Sequence, residues 1–184
     1  MRSLRTKPFV ALLVLLSITG YTQAFSPTAL LPDHYDTPDL PPTCGTIQVE
    51  TGHQLAYRAF AVGVQRYRWD GSAWVFVEPV ATLYKDAEYT DKDAVHYAGP
   101  TWLANSGGKV VATKVNQCIP DATAIPWLLL KATSNQGPGL FGSVSFIQRV
   151  NTKGGLAPTA SGATIGALTD VPYTAEYYFY RPRD

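Results

Sequence analysis

Residues 125–156 read IPWLLLKATSNQGPGLFGSVSFIQRVNTKGGL, and the fold turns on how that stretch is parsed. Residues 127–133 and 144–150 are two runs of strand length, dense in aromatic and aliphatic side chains, with Gly137-Pro138-Gly139 as the corner between them. Paired, they make the most apolar hairpin of the chain, a wall against which the other strands can pack. The same stretch spells G-x-G-x-x-G at 137–142. A dinucleotide loop leaves a strand and opens a helix whose amides hold the pyrophosphate. Here Ser143-Val144-Ser145-Phe146 reads as more strand and Pro138 removes an amide, so the match is accidental.

Outward from the hairpin, the chain keeps to strands and turns. Residues 55–69 alternate loosely and are rich in Val, Tyr and Phe, with Gly63 expected at a bend or bulge. Asp70-Gly71-Ser72 is a hairpin turn. Residues 73–77 form the next strand, and 80–84 follow after a break at Pro79. Residues 85–93 are a polar loop. Residues 101–104 and 109–117 form a second hairpin about Asn105-Ser106-Gly107-Gly108, and 173–181 are the last strand. Pro100, Pro126 and Pro172 are each expected to open a strand, where no ladder donor is needed. No segment beyond the first 24 residues sustains an apolar 3.6-residue period. The expected fold is all-β, a single antiparallel β-sandwich or barrel over residues 47–184. Residues 151–170 hold Gly, Ala and Thr over a length uncommon for a plain loop, and read either as a loose excursion or as a lid over a cavity.

The start of the chain reads as an export signal. Arg2, Arg5 and Lys7 precede an apolar run at 8–18, and Thr22-Gln23-Ala24 offers small residues for cleavage after Ala24. The run falls short of the roughly 20 residues that a spanning helix needs. Removal of residues 1–24 takes away three of the 15 basic residues and none of the 14 acidic ones, leaving a slightly acidic chain with no basic footprint. Nucleic acid is therefore not an expected partner. Residues 25–46 contain Pro27, Pro32, Pro38, Pro41 and Pro42 and read as an extended arm. Membrane insertion by a barrel is disfavoured by charges on both strand faces, Arg66, Arg68, Lys131 and Glu176 among them. A secreted or periplasmic location makes Cys44 and Cys118 a disulfide pair, closing a loop of about 75 residues and stabilising by about 4 kcal/mol.

Chemistry is sparse. His96, in HYAGPTW, is the titratable side chain of most interest, either a hydrogen-bonded structural histidine or a base or metal ligand with partners from distant strands. Arg149 and Asn151 alternate with Ile147 on one strand face and could supply those partners. Asp86, Glu88, Asp91 and Asp93 form an acidic cluster without the glycine and terminal acid of an EF-hand, so a solvated loop is expected there rather than calcium. No G-x-S-x-G or H-E-x-x-H motif occurs, and neither cofactor nor metal is expected. The four tryptophans and eleven tyrosines exceed what a core demands, and exposed faces among them would suit sugars or other flat ligands.

GVQRY at 63–67, HYAGPTW at 96–102, AIPWLLLKA at 124–132, FIQRVNTKGGLAP at 146–158 and VPYTAEYYFYR at 171–181 resemble the secreted family catalogued as domain of unknown function 3455. The resemblance spans residues 56–181. It implies export, in bacteria and fungi, and no established activity. It also implies a cysteine after the GVQ-x-Y segment and another after the APxxG loop. This chain departs there, with Trp69 and Ser161 in those neighbourhoods. If the family pairs those two, Cys44–Cys118 is a substitute staple and residues 151–170 lack a covalent tether.

Three functions fit these residues. One is a non-enzymatic module binding a small molecule or glycan, lined by Gln65, Tyr67, His96, Trp102, Arg149 and Asn151, because polar side chains amid apolar strands need a network or a ligand. A second is a hydrolase or lyase using His96, Arg149 and Asn151. The third is an envelope module whose Pro-rich arm reaches a partner.

Overall fold

The computed structural model describes residues 37–183. The expected signal peptide and the first part of the arm lie outside the described residues. Eight strands follow in order: β1 (His53–Trp69), β2 (Trp74–Tyr84), β3 (Lys92–Tyr97), β4 (Thr101–Ala104), β5 (Lys109–Cys118), β6 (Trp127–Gln136), β7 (Phe146–Gly154) and β8 (Leu168–Pro182). Each pairs antiparallel with the next, and β8 returns to β1, so one sheet closes into a barrel. Of the two expected architectures, the barrel is the one adopted. The hairpin read from residues 125–156 is β6–β7, with Leu128 opposite Arg149 and Leu130 opposite Ile147.

Alternation sorts side chains inward and outward. Inward lie Ala59 and Ala61 of β1, Ala81 and Leu83 of β2, Ala94 of β3, Trp102 of β4, Val110 and Ala112 of β5, and Tyr173, Ala175, Tyr177 and Phe179 of β8. Alanines on one side leave room for the rings from the other, which is how a small barrel fills its lumen. At Gly63 the sheet closes further: a Cβ there would fall 2.2 Å from the carbonyl oxygen of Val80. Gly63 is thus a point of close strand approach. The β1–β2 register shifts instead between Arg66 and Tyr67, where Val77 of β2 is the extra residue, and β1 itself bulges at Ala56 against β8.

Two prolines depart from the expected pattern for one reason. Pro79 does not break β2 but pairs with Gln65, and Pro172 sits inside β8 opposite Val64. β3 pairs with β2 only as far as Ala81, and β7 with β8 only as far as Tyr173. Beyond those pairs β2 has no β3 partner, and beside β8 the Gly155 amide only donates, reaching the Pro172 carbonyl at 2.9 Å, so a missing N–H deprives no ladder. β3 itself was hidden within and after the expected polar loop, because its inward positions are a small residue, Ala94, and a polar one, His96.

The arm is less extended than its prolines suggest. Pro42 starts a short 3-10 helix, Pro42–Ile47, a position where proline's missing donor costs nothing. The helix lies on the outside of the barrel, burying Cys44 and Ile47 with Cys118, Trp127, Leu129, Phe146, Val150, Tyr178 and Tyr180. Cys44 and Cys118 form a disulfide with Cα atoms 5.3 Å apart, in keeping with an oxidising, extracytoplasmic-type compartment. The buried Gln148 amide donates to the Ile47 carbonyl at 2.7 Å, and the Tyr180 hydroxyl donates to Gln148.

The barrel's ends differ. The β2–β3, β4–β5 and β6–β7 connections gather at one end, and there a 3-10 turn, Leu140–Gly142, drives Phe141 into the lumen. Its ring sits 4.8 Å from Phe179 and 6.4 Å from Tyr57. The glycines of the accidental motif serve this plug, since a Cβ at Gly137 would fall 2.6 Å from the Gly107 carbonyl oxygen. The β1–β2, β3–β4, β5–β6 and β7–β8 connections gather at the opposite end, the mouth.

Candidate binding cavity

At the mouth the lumen is not filled. A cavity of about 200 Å3 is lined by Gln65, Phe76, Pro79, His96, Pro100, Trp102, Lys114, Leu128, Leu130, Arg149 and Tyr177. An eight-stranded barrel is just wide enough to hold one small ligand when its own side chains leave space. Four of the six residues expected to line a site, Gln65, His96, Trp102 and Arg149, meet here from four strands.

His96 and Trp102 are cross-strand partners, and their rings stack at 4.2 Å with an interplanar angle of 8°. Tyr177 meets the imidazole edge-on at 5.4 Å. His96 Nδ1 lies 2.9 Å from the Thr101 carbonyl oxygen. A carbonyl only accepts, so Nδ1 carries the proton and Nε2 the lone pair. Burial pulls the imidazole pKa down to about 3, the Thr101 carbonyl partly opposes that, and the Arg149 charge adds to it. His96 is therefore neutral at ordinary pH.

Arg149 projects inward opposite Leu128 and Tyr177. Its Nε and one terminal nitrogen donate to the Pro126 carbonyl at 3.3 and 2.8 Å. Its field opposes the rise that burial imposes on the Tyr67 and Tyr177 hydroxyls. Two further wall residues hold buried donors: Trp102 Nε1 has no acceptor among the described residues, and Gln65 Nε2 has only a loose contact with the Tyr173 hydroxyl.

Tyr67 also points inward, but its hydroxyl is spent on the Gly155 carbonyl at 2.6 Å, beside rather than within the cavity. Asn151 is carried away from Arg149. The β7–β8 register shifts between Val150 and Lys153, and Asn151 takes a left-handed φ of 51°. Its side chain donates to Glu176 at 3.0 Å and lines a separate outer groove with Phe60, Tyr89 and Lys153. The shared face expected for Arg149 and Asn151 is broken by that bulge. Lys114, Phe76 and Tyr177 are lining residues that the sequence reading passed over. Lys114 was visible in principle, because it continues the inward stripe Val110, Ala112.

The other sites are structural. Asp86 accepts from the Thr90 and Asp91 amides, while Asp91 and Asp93 pair with Lys85. No metal-holding cluster of His, Cys, Asp or Glu occurs among the described residues. The tryptophans are occupied in packing: Trp102 in the lumen, Trp127 under the arm, and Trp69 against Trp74 at 5.5 Å. The expected lid is shorter than residues 151–170, since both ends are strand. Its middle is fastened across the mouth end of β1–β2, by Trp74 Nε1 to the Ala160 carbonyl and by paired backbone bonds of Trp69 with Gly166 and Ala167. A Cβ at Gly162 would fall 2.4 Å from Trp69, so an indole packs where the family resemblance implies a cysteine. None of residues 155–167 lines the cavity.

The family model described as "Protein of unknown function (DUF3455)" matches residues 50–181. No curated protein and no solved structure matches the chain.

Proposed function

Since the chain belongs to that family of unknown function, we propose its role from the chemistry of the barrel: an exported, non-enzymatic module that binds one small molecule in the mouth cavity. The observation that carries this reading is a lumen plugged by Phe141 at one end and left open at the other around Gln65, His96, Trp102 and Arg149. Buried polar groups are normally satisfied within the fold. Here Trp102 Nε1 has no acceptor among the described residues and Gln65 Nε2 has only a loose contact with Tyr173, and both residues line the cavity.

Binding is favoured over catalysis by the state of His96. A general base works best with a pKa near the working pH, and burial holds this one near 3. Its hydrogen-bond partner is a backbone carbonyl rather than a carboxylate that could orient it. A glycan is the weaker of the two ligand classes, because the tryptophans that would form a sugar platform are spent on packing. Export rests on the basic and apolar start of the chain together with the Cys44–Cys118 bridge. A soluble barrel is supported by the outward ion pairs of Arg58 with Glu176 and of Arg66 with Asp170 and Glu78, which a lipid-facing band would not carry.

Native mass spectrometry of protein purified from its own compartment tests the reading. The expected result is a small molecule that is released on denaturation and is absent from Leu128→Trp, which fills the cavity from its wall. If a broad metabolite library stabilises the native protein no more than Leu128→Trp, the reading fails.

A further inference from the structure

We propose that the cavity is selective for a small monocarboxylate carrying a flat apolar body the size of one ring. This inference rests on the binding reading above and adds the chemical class of the ligand.

The first observation is a contrast among the arginines. On the outside of the barrel, Arg58 lies 2.7 Å from Glu176, and Arg66 lies 2.8 Å from Asp170 and 3.2 Å from Glu78. Inside, Arg149 has a carbonyl and no carboxylate among the described residues. Arg149 is half-buried, and a charge partly withdrawn from water is favoured by an opposite one nearby. Lys114 adds a second cation at the wall, its ammonium held by Gln117 at 3.1 Å, and among the described residues no acidic one lines the cavity. An anionic ligand supplies the missing counter-charge, and the planar guanidinium fork suits a carboxylate.

The second observation is independent of charge. Trp102 is 0% exposed and its Nε1 has no acceptor among the described residues, while Gln65, 3% exposed, has only a loose contact with the Tyr173 hydroxyl for its Nε2. Both are donors on residues that line the cavity, which favours a ligand that brings acceptors over one that brings donors. The remaining wall, Phe76, Pro79, Pro100, Leu128, Leu130 and the Trp102 face, is apolar. A dry cavity of about 150 Å3 holds benzene, so 200 Å3 accommodates one ring and a carboxylate.

Benzoate, benzamide and benzamidine share one shape and carry charges of about −1, 0 and +1 at neutral pH, and so separate charge from fit. Each is titrated into the native protein while the Trp102 indole N–H resonance is followed by NMR. Benzoate is expected to shift that resonance and to bind at least ten-fold more tightly than benzamide, with benzamidine weaker than both. Arg149→Met is expected to erase the difference while benzamide still binds, showing that the cavity survives. If Arg149→Met does not fold, the order of the three ligands in the native protein decides, supported by a smaller loss for benzoate in Lys114→Met. Benzamide within ten-fold of benzoate, or benzamidine as the tightest, overturns the carboxylate and leaves the cavity as a binding site. No movement of the Trp102 resonance with any of the three, nor with the metabolite library, removes the binding site as well.

Discussion

The two ends of this barrel are made from the same strands and do opposite things. At the closed end Phe141 meets Phe179 and Tyr57, and glycines let the β4–β5 and β6–β7 turns touch backbone to backbone. At the mouth, inward positions on the same strands hold Gln65, His96 and Arg149 around empty space. Along β8 the change takes one step, from Phe179 at the plug to Tyr177 at the cavity. A closed eight-stranded barrel stays stable with one end unfilled because only short strand ends at the mouth go unpaired and its other end is tightly packed.

The largest effect is expected at the plug. Phe141→Ala removes a ring that is 2% exposed and should cost about 4 kcal/mol, measured by urea unfolding. A loss below about 1 kcal/mol would mean that the closed end is not where stability resides.

Acidification acts at the mouth instead. The unfolded chain protonates His96 near pH 6.5, and the folded chain near 3. Between those values the unfolded state holds the extra proton, so stability falls as pH falls and is flat above about 6.5. From pH 7 to pH 5 this one group should cost about 2 kcal/mol. His96→Phe, which keeps a ring on Trp102, should flatten the slope in that window by the same amount in parallel denaturation series.

Gln65→Leu is expected to be neutral or to stabilise the empty protein by about 1 kcal/mol, because it deletes a buried donor whose one contact, with the Tyr173 hydroxyl, is loose. Thermal unfolding would check it, and a clear drop would show that the amide is structurally satisfied. Smallest of all is Asn151→Ala, which removes an exposed hydrogen bond to Glu176 and should leave benzoate binding within about two-fold. A larger change by calorimetry would connect the outer groove to the mouth.

Legibility followed the same division. The β6–β7 hairpin, the Asp70-Gly71-Ser72 turn and the Asn105–Gly108 turn were readable because turn chemistry and alternation act over a few residues. Asp70 Oδ1 indeed accepts from the Ser72 and Ala73 amides, and Gly107 takes a φ of +92°. β3 was not readable, because its inward histidine does not look like core until Trp102 is stacked on it. Pro79 signalled a break and Pro172 a strand start, and both expectations vanish once the lengths of the neighbouring strands are known. Arg149 and Asn151 looked equivalent by period two, and a bulge in β7, seen only in its pairing with β8, separated them.

By itself, then, the chain determined that it would be all-β, which residues would pair locally and that Cys44 and Cys118 would be the available staple, since period, turn residues and cysteine count are properties of short stretches or of composition. Closure of β8 on β1, the choice of plugged and open ends, and the company that Arg149 keeps were decided by tertiary structure. Those features depend on register and bulges between strands as far apart in sequence as His53 and Pro182, where no local pattern reaches.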